Sequence, residues 1–322
     1  MYDETVYDNA TALTEEQKAS HYQSVLTPKP EDRDFLLSLP DPRPFGYFLA
    51  QTREYLQKHP LALIGEVGLD KSFRIPEAWL PEHESNRNDD LTPGGREGRR
   101  LSPYRVSMEH QRKVLLAQLR LAGELQRAVS CHGVQAHGIV HSTLAETWKS
   151  HLKYVLNKAE KRAAARAQED EREENPPSPR ALRNRAREAA EPLEPKNYPP
   201  RVCLHSYSGS AENVSQYTHP SIPTDVFFSF STTINAWAES GDGKVEAAVR
   251  AVPDDRVLVE SDLHTAGERM DHYLEQIVRK ICTIKGWELD QGVRQLGRNW
   301  KGFVFGREGY RRYFGTDVDD EV

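Results

Sequence analysis

Apolar residues in this chain fall into two spacings that alternate along the sequence. Short runs read as strands buried on both faces: Leu61-Ala62-Leu63-Ile64, Ala128-Val129-Ser130-Cys131, Arg201-Val202-Cys203-Leu204, Asp225-Val226-Phe227-Phe228-Ser229-Phe230-Ser231 and Asp255-Arg256-Val257-Leu258-Val259. Other stretches carry apolar residues three or four apart and predict helices: 14–25 with Thr14 as cap, 45–58, 107–126, 142–156, 267–285 and 289–300. Strand and helix in alternation is the rhythm of a parallel α/β sheet. The first strand is expected over 61–67, and nothing before it has a strand-like pattern.

The polar positions set the boundaries. Residues 1–45 are polar and broken by Pro28, Pro30, Pro40, Pro42 and Pro44. The α/β unit is expected over 46–310, interrupted by a loop insertion at 80–102 and a charged insertion at 157–200. The second insertion is dominated by Ala, Arg, Glu and Pro; it has little to bury and reads as disordered. An acidic tail fills 311–322.

Composition narrows the classes. A chain of 322 residues can bury a large core, and with 37% hydrophobic and 29% charged residues it reads as a globular part diluted by solvated insertions. A net charge of −6 excludes a non-specific nucleic-acid binder. It leaves nucleic-acid chemistry open, because a divalent ion can supply the positive charge at a phosphate. Cys131, Cys203 and Cys282 make neither a disulfide framework nor a Cys-rich zinc site. No apolar run reaches the roughly 18 residues of a membrane helix, and the acidic N-terminus is not a signal peptide. The expectation is an intracellular protein of a reducing compartment, cytoplasmic, nuclear or both, with no membrane association.

The candidate chemistry sits where strands end. Glu66, His132, His205 and Asp262 each follow an apolar run. In a β/α barrel such ends converge on one face. Two imidazoles and two carboxylates suit Zn, Mn or Mg, and a carboxylate can bridge two ions. Taken singly, each also reads as a solvated acid or a hydrogen-bonded structural histidine. Asp70 reads as a loop-shaping residue.

Taken together, Gly65-Glu66-Val67-Gly68-Leu69-Asp70, His132, His205-Ser206-Tyr207-Ser208-Gly209 and Glu260-Ser261-Asp262 resemble successive signatures of TatD-type metal-dependent deoxyribonucleases. The wording of 62–70, followed by Arg74-Ile75-Pro76, is most similar to a fungal branch of that family. The resemblance implies a TIM-like (β/α) barrel of the metal-dependent hydrolase type and phosphodiester hydrolysis of DNA, of exonuclease type. It implies two divalent ions. Glu66 would bridge them, and His132 and His205 would complete the second ion's ligands. Asp262 would bind the first ion and orient or deprotonate water; Asp262 and Glu66 are thus the catalytic pair. Ser206, Tyr207 and Ser208 offer hydroxyls to a phosphate or cap the next helix, and Arg74 meets a phosphate or solvent. His137, His141 and His264 read as supporting or surface residues. Some members of the branch interact with a TPR subunit of the anaphase-promoting complex, so a TPR-protein partner is implied beside DNA.

One departure counters this. The family opens with a strand ending in His-x-His or His-x-Asp, and the chain contains no His-x-His. About five of eight barrel strands are expected, so the barrel reads as N-terminally truncated, with sheet edges and an apolar inner face exposed. Such a chain would hold one ion or none, and its competence as an ester-bond hydrolase is in question. Two alternatives follow: a catalytically degenerate barrel serving as an interaction partner, and an amidohydrolase acting on C–N bonds.

Overall fold

The computed structural model describes residues 13–78, 99–155, 160, 196–233 and 243–314. Most of the expected insertions at 80–102 and 157–200, and the tail from 315, lie outside them. In chain order the elements are α1 (Glu15–Val25), β1 (Leu26–Thr27), α2 (Arg33–Ser38), α3 (Phe45–Lys58), β2 (Ile64–Asp70), β3 (Arg105–Val106), α4 (Met108–Glu124), β4 (Val129–Val134) and α5 (His137–Trp148). They continue with β5 (Arg201–Leu204), α6 (Ala211–Tyr217), β6 (Asp225–Phe230), α7 (Lys244–Ala251), β7 (Val257–Val259), α8 (Glu268–Lys285) and α9 (Leu289–Phe314).

Strands β2, β4, β5, β6 and β7 form one parallel sheet in that order, with helices between them. This is the five-stranded (β/α) arrangement expected. Among the described residues its edges are β2 and β7. Local chemistry explains several boundaries. Thr14 closes a capping box on α1: its hydroxyl accepts from the Gln17 N–H, and the Gln17 side chain accepts from the Thr14 N–H. Ser107 caps α4 by accepting from the His110 N–H.

Several expectations are corrected, among them the helix expected over 289–300, which runs over Leu289–Phe314 with a kink at Gly306. A strand does precede residue 61: β1 pairs antiparallel with β3, because Ser107 donates to Val25 O and draws the two segments together. The first sheet strand runs over 64–70, since its pairing with β4 extends to Asp70↔Val134. Helix α5 covers 137–148 instead of 142–156, beginning directly after the left-handed turn at Gln135 (φ 52°).

Alternate residues of the strands face opposite ways. Val129, Cys131, Val202, Leu204, Val226, Phe228 and Phe230 pack with Leu115 and Leu119 of α4 and Ile277 and Ile281 of α8. Each of those four helix side chains is fully buried, about 1.5–3 kcal/mol apiece. The opposite face is layered. At the N-terminal ends of the strands, Ala128, Cys203, Phe227 and Leu258 form an apolar floor closed by Phe303 of α9. Two residues further along come Ser130 and Ser229, and beyond them the polar cluster. Helix α9 is tied down where Asn299 Nδ2 donates to Asp254 O (2.7 Å) and Val257 O (2.8 Å), and where Arg201 Nε donates to Phe303 O (2.6 Å). The expected exposure of an apolar inner face is therefore corrected at this end, because α9 covers it.

His21 and His110 face each other between α1 and α4, with ring centroids 6.1 Å apart. Burial pushes both imidazoles down to about 4. Both are neutral at pH 7, whereas an unfolded chain takes up protons from about pH 6.5. Folded stability is therefore expected to fall as pH drops from about 6.5 toward 4. Thermal unfolding across that window checks this. A His21→Leu, His110→Leu chain should show a shallower loss; a loss as steep as in the parent would refute it.

Candidate metal centre

The sheet register places the first carboxylate. Ile64 pairs with Val129 and Val67 with Cys131, so Gly65 and Glu66 stand opposite Ser130 alone. This extra residue is a bulge, a device that re-aims a side chain. It puts Glu66 on the same face as Gly68 and Asp70. Glu66 is thus inside β2 and not beyond its end. Gly68 pairs with His132, and a Cβ at 68 would lie 2.0 Å from His132 O. The absence of a side chain lets the two strands approach. On the next strand, His205 stays extended because its N–H donates to Cys131 O (3.0 Å).

Three exits on this face turn through the left-handed region on non-glycine residues: Gln135 (φ 52°), Ser206 (φ 40°) and Asp262 (φ 55°). Such backbone costs on the order of 1–3 kcal/mol each and persists where neighbouring contacts enforce it. Ser206 and Asp262 lie at the cluster, and hydrogen bonds hold both.

The four predicted ligands come together. Glu66 Oε1 is 2.9 Å from His132 Nδ1 and 3.5 Å from His205 Nε2. His205 Nε2 is 3.0 Å from Asp262 Oδ1. The Glu66 side chain is 56% exposed and that of His205 14%, so the cluster opens to solvent on the Glu66 side. Burial alone would lower the pKa of His205, but its hydrogen bonds with Asp262 and Glu260 outweigh that and raise it to about 10. The hydrogen bond from His205 holds Asp262 below the usual carboxylate range against its own burial.

Glu260 is the participant that sequence reasoning passed over. Its Oε2 accepts from His205 Nδ1 (2.9 Å) and Ser229 Oγ (2.7 Å). Its Oε1 accepts from the Ser206 N–H (2.7 Å) and the Ser206 hydroxyl. The signal was available in the period of two: Leu258 lies in the inner floor, so Glu260 shares that face.

The remaining candidates spread out. Ser206 is buried and engaged with Glu260 and Ser231. Tyr207 turns into the core, its ring edge-on to Phe228 and its hydroxyl donating to Ser210 O (3.0 Å). The two are thereby moved from the expected substrate hydroxyls into structural contacts; burial decides this. Ser208 stays exposed, 3.2 Å from His137 Nε2. Arg74 is exposed on the loop after β2, with no hydrogen bond or ion pair to the cluster. Asp70 shapes that loop, accepting through Oδ1 from the N–H groups of Ser72 and Phe73 and the Ser72 hydroxyl. Its burial works against ionisation, but these bonds and nearby His132 hold it below the usual range. His141 packs edge-on to Tyr217, and His264 is exposed.

The donor set suits a divalent ion. One ligand atom from each of Glu66, His132 and His205 lies within 4.8 Å of the others, and the same holds for His205, Glu260 and Asp262. Imidazole nitrogen with carboxylate oxygen is the chemistry of Zn or Mn, with Mg favouring the oxygens.

Comparison with known proteins adds to this geometry. Residues 14–175 and 178–304 match the family described as TatD related DNase. The Cut9-interacting protein scn1 of Schizosaccharomyces pombe is 37% identical over 304 residues, covering 94% of this chain and 79% of scn1. The uncharacterized deoxyribonuclease YMR262W of Saccharomyces cerevisiae is 26% identical over 254 residues, 76% of this chain and 59% of that protein. Among solved structures, the TatD homologue YJJV of Escherichia coli aligns at 14% identity and a TM-score of 0.45, over 80% of this chain and 70% of that one.

Proposed function

The chain belongs to the TatD related DNase family of metal-dependent hydrolases, and from that premise we propose that it hydrolyses phosphodiester bonds of DNA with a divalent ion. The observation that carries this reading is the convergence of Glu66 and His132 from within β2 and β4 with His205 and Asp262 from just beyond β5 and β7. Glu66, His132 and His205 would hold the ion. When bound, the ion lowers the pKa of water and polarises a phosphoryl oxygen. Asp262 orients the attacking water and takes its proton as the P–O bond to the leaving oxygen breaks. Ser208 and His137, paired at the rim, offer a hydroxyl and an imidazole to a neighbouring phosphate.

The test is release of nucleotides from DNA in Mg, Mn and Zn, with chelator as control and cyclic amides as a counter-assay. No hydrolysis in any of the three ions would end this reading; turnover of the amides alone would replace it with C–N hydrolysis. Among the described residues both ligand groups share His205. Metal analysis is therefore expected to find about one ion per chain, as follows if the shared imidazole binds a single ion.

The fission-yeast relative is named for interaction with Cut9, and that name supports a second reading: a protein-binding role for this chain. On it, binding to the corresponding partner persists in a His132→Ala, His205→Ala chain. Loss of binding there would count against it.

A further inference from the structure

Glu260 belongs to one of the two groups that could surround an ion, together with His205 and Asp262. Its hydrogen bonds give it a different part. An ionised carboxylate offers about four acceptor positions. Here Oε1 receives the backbone N–H and hydroxyl of Ser206, and Oε2 receives Ser229 Oγ and His205 Nδ1. All four are occupied by protein donors. One of them, the Ser206 N–H, is fixed by a left-handed backbone turn and cannot rotate away. The opposite edge of the His205 ring points elsewhere. Its Nε2 lies 3.5 Å from Glu66 Oε1 and 3.0 Å from Asp262 Oδ1.

We propose that Glu260 is a positioning residue and not a ligand: it holds the Nδ1 proton of His205, so that Nε2, which faces Glu66 and Asp262, is the nitrogen that gives up its proton to an ion. The proposal rests on the metal reading of the site. It also divides the two candidate groups, placing the ion on the Glu66 side of His205 and leaving Glu260 on the far side of the ring. Ser206 and Ser229 hold the carboxylate in turn, which gives the buried Ser206 a role remote from substrate. The His205 ring is therefore clamped from behind through a chain of fixed donors, and its metal-binding nitrogen has one direction to face.

Glu260→Gln makes the proposal sharp. Because the Ser206 N–H cannot turn, the glutamine oxygen must face it, and the amide –NH2 then faces His205. A donor aimed at Nδ1 drives the proton onto Nε2, the nitrogen that should bind. The experiment is Zn2+ titration by calorimetry of the parent and Glu260→Gln chains. It is paired with long-range 1H–15N spectra of histidine-labelled, Zn2+-loaded parent protein. The expected result is a proton on Nδ1 and zinc on Nε2 of His205 in the parent, with affinity 10–100-fold weaker in Glu260→Gln. Glu260→Asp, which keeps the acceptor on a shorter arm, should fall between them. Unchanged affinity in Glu260→Gln, or zinc on Nδ1 in the parent, would overturn the proposal. If Glu260→Gln does not fold, the parent spectrum still decides. A parent chain that binds no zinc would overturn the metal reading together with it, whereas zinc bound through Nδ1 would spare the metal reading and remove only the role of Glu260.

Discussion

Glu66→Ala is expected to reduce metal-dependent DNA hydrolysis by about a thousandfold while leaving the fold intact. Among the described residues it is the carboxylate in contact with both imidazoles, 2.9 Å from His132 Nδ1 and 3.5 Å from His205 Nε2. Without it, an ion held by the two imidazoles would lose the nearest of its neutralising charges. An ion's stabilisation of developing charge is worth several kcal/mol, and each 1.36 kcal/mol lost from a barrier is a factor of ten, so a loss of about three decades follows. Stability should barely move, by about 0.5 kcal/mol or less, because the side chain is 56% exposed and lies at a bulge. The check is kcat/KM with an ion-binding titration, alongside a thermal midpoint. Activity within tenfold of the parent would show that another residue supplies the bridging charge.

Gly68→Ala is expected to do the reverse and strike the fold first. A Cβ at this position would sit 2.0 Å from His132 O and 2.7 Å from His132 C and N. These are backbone atoms of the paired strand, so no side-chain rotation relieves the contact. The strands must separate where Gly68 pairs with His132, at a cost on the order of 3 kcal/mol or more. His132 moves with its backbone, so ion binding by the remaining folded protein should weaken too. Gly65→Ala, three residues earlier, is the control: a Cβ there meets nothing within 4 Å. Urea unfolding of both variants separates them. Equal midpoints would refute the close approach of β2 and β4 at Gly68.

Much of this was legible because local chemistry and periodicity agreed. Thr14 announces α1, and 45–58 emerges as a helix with both ends as expected. The apolar runs located all strands of the parallel sheet, and the polar residues at their ends proved neighbours in space. What did not show is register. A run of apolar letters cannot announce an extra residue, so the bulge at Gly65-Glu66 and the extension of β2 to Asp70 were hidden. Direction was hidden for the same reason in His205-Ser206-Tyr207-Ser208. The left-handed turn at Ser206 sends Tyr207 into the core and leaves only Ser208 exposed. Glu260 was overlooked because a carboxylate two residues before a ligand reads as part of its signature. Only the hydrogen bonds separate their tasks.

The floor beneath the cluster has a consequence for how the protein is made. Phe303 wedges the sheet apart from solvent at Ala128, Cys203, Phe227 and Leu258, yet it is synthesised after every residue of the cluster above. A ribosome-bound chain that has released Glu66, His132, His205 and Asp262 still lacks the side chain that closes the layer below them. Closure of the layer beneath the cluster is therefore a late event, completed only once α9 has been made and has docked.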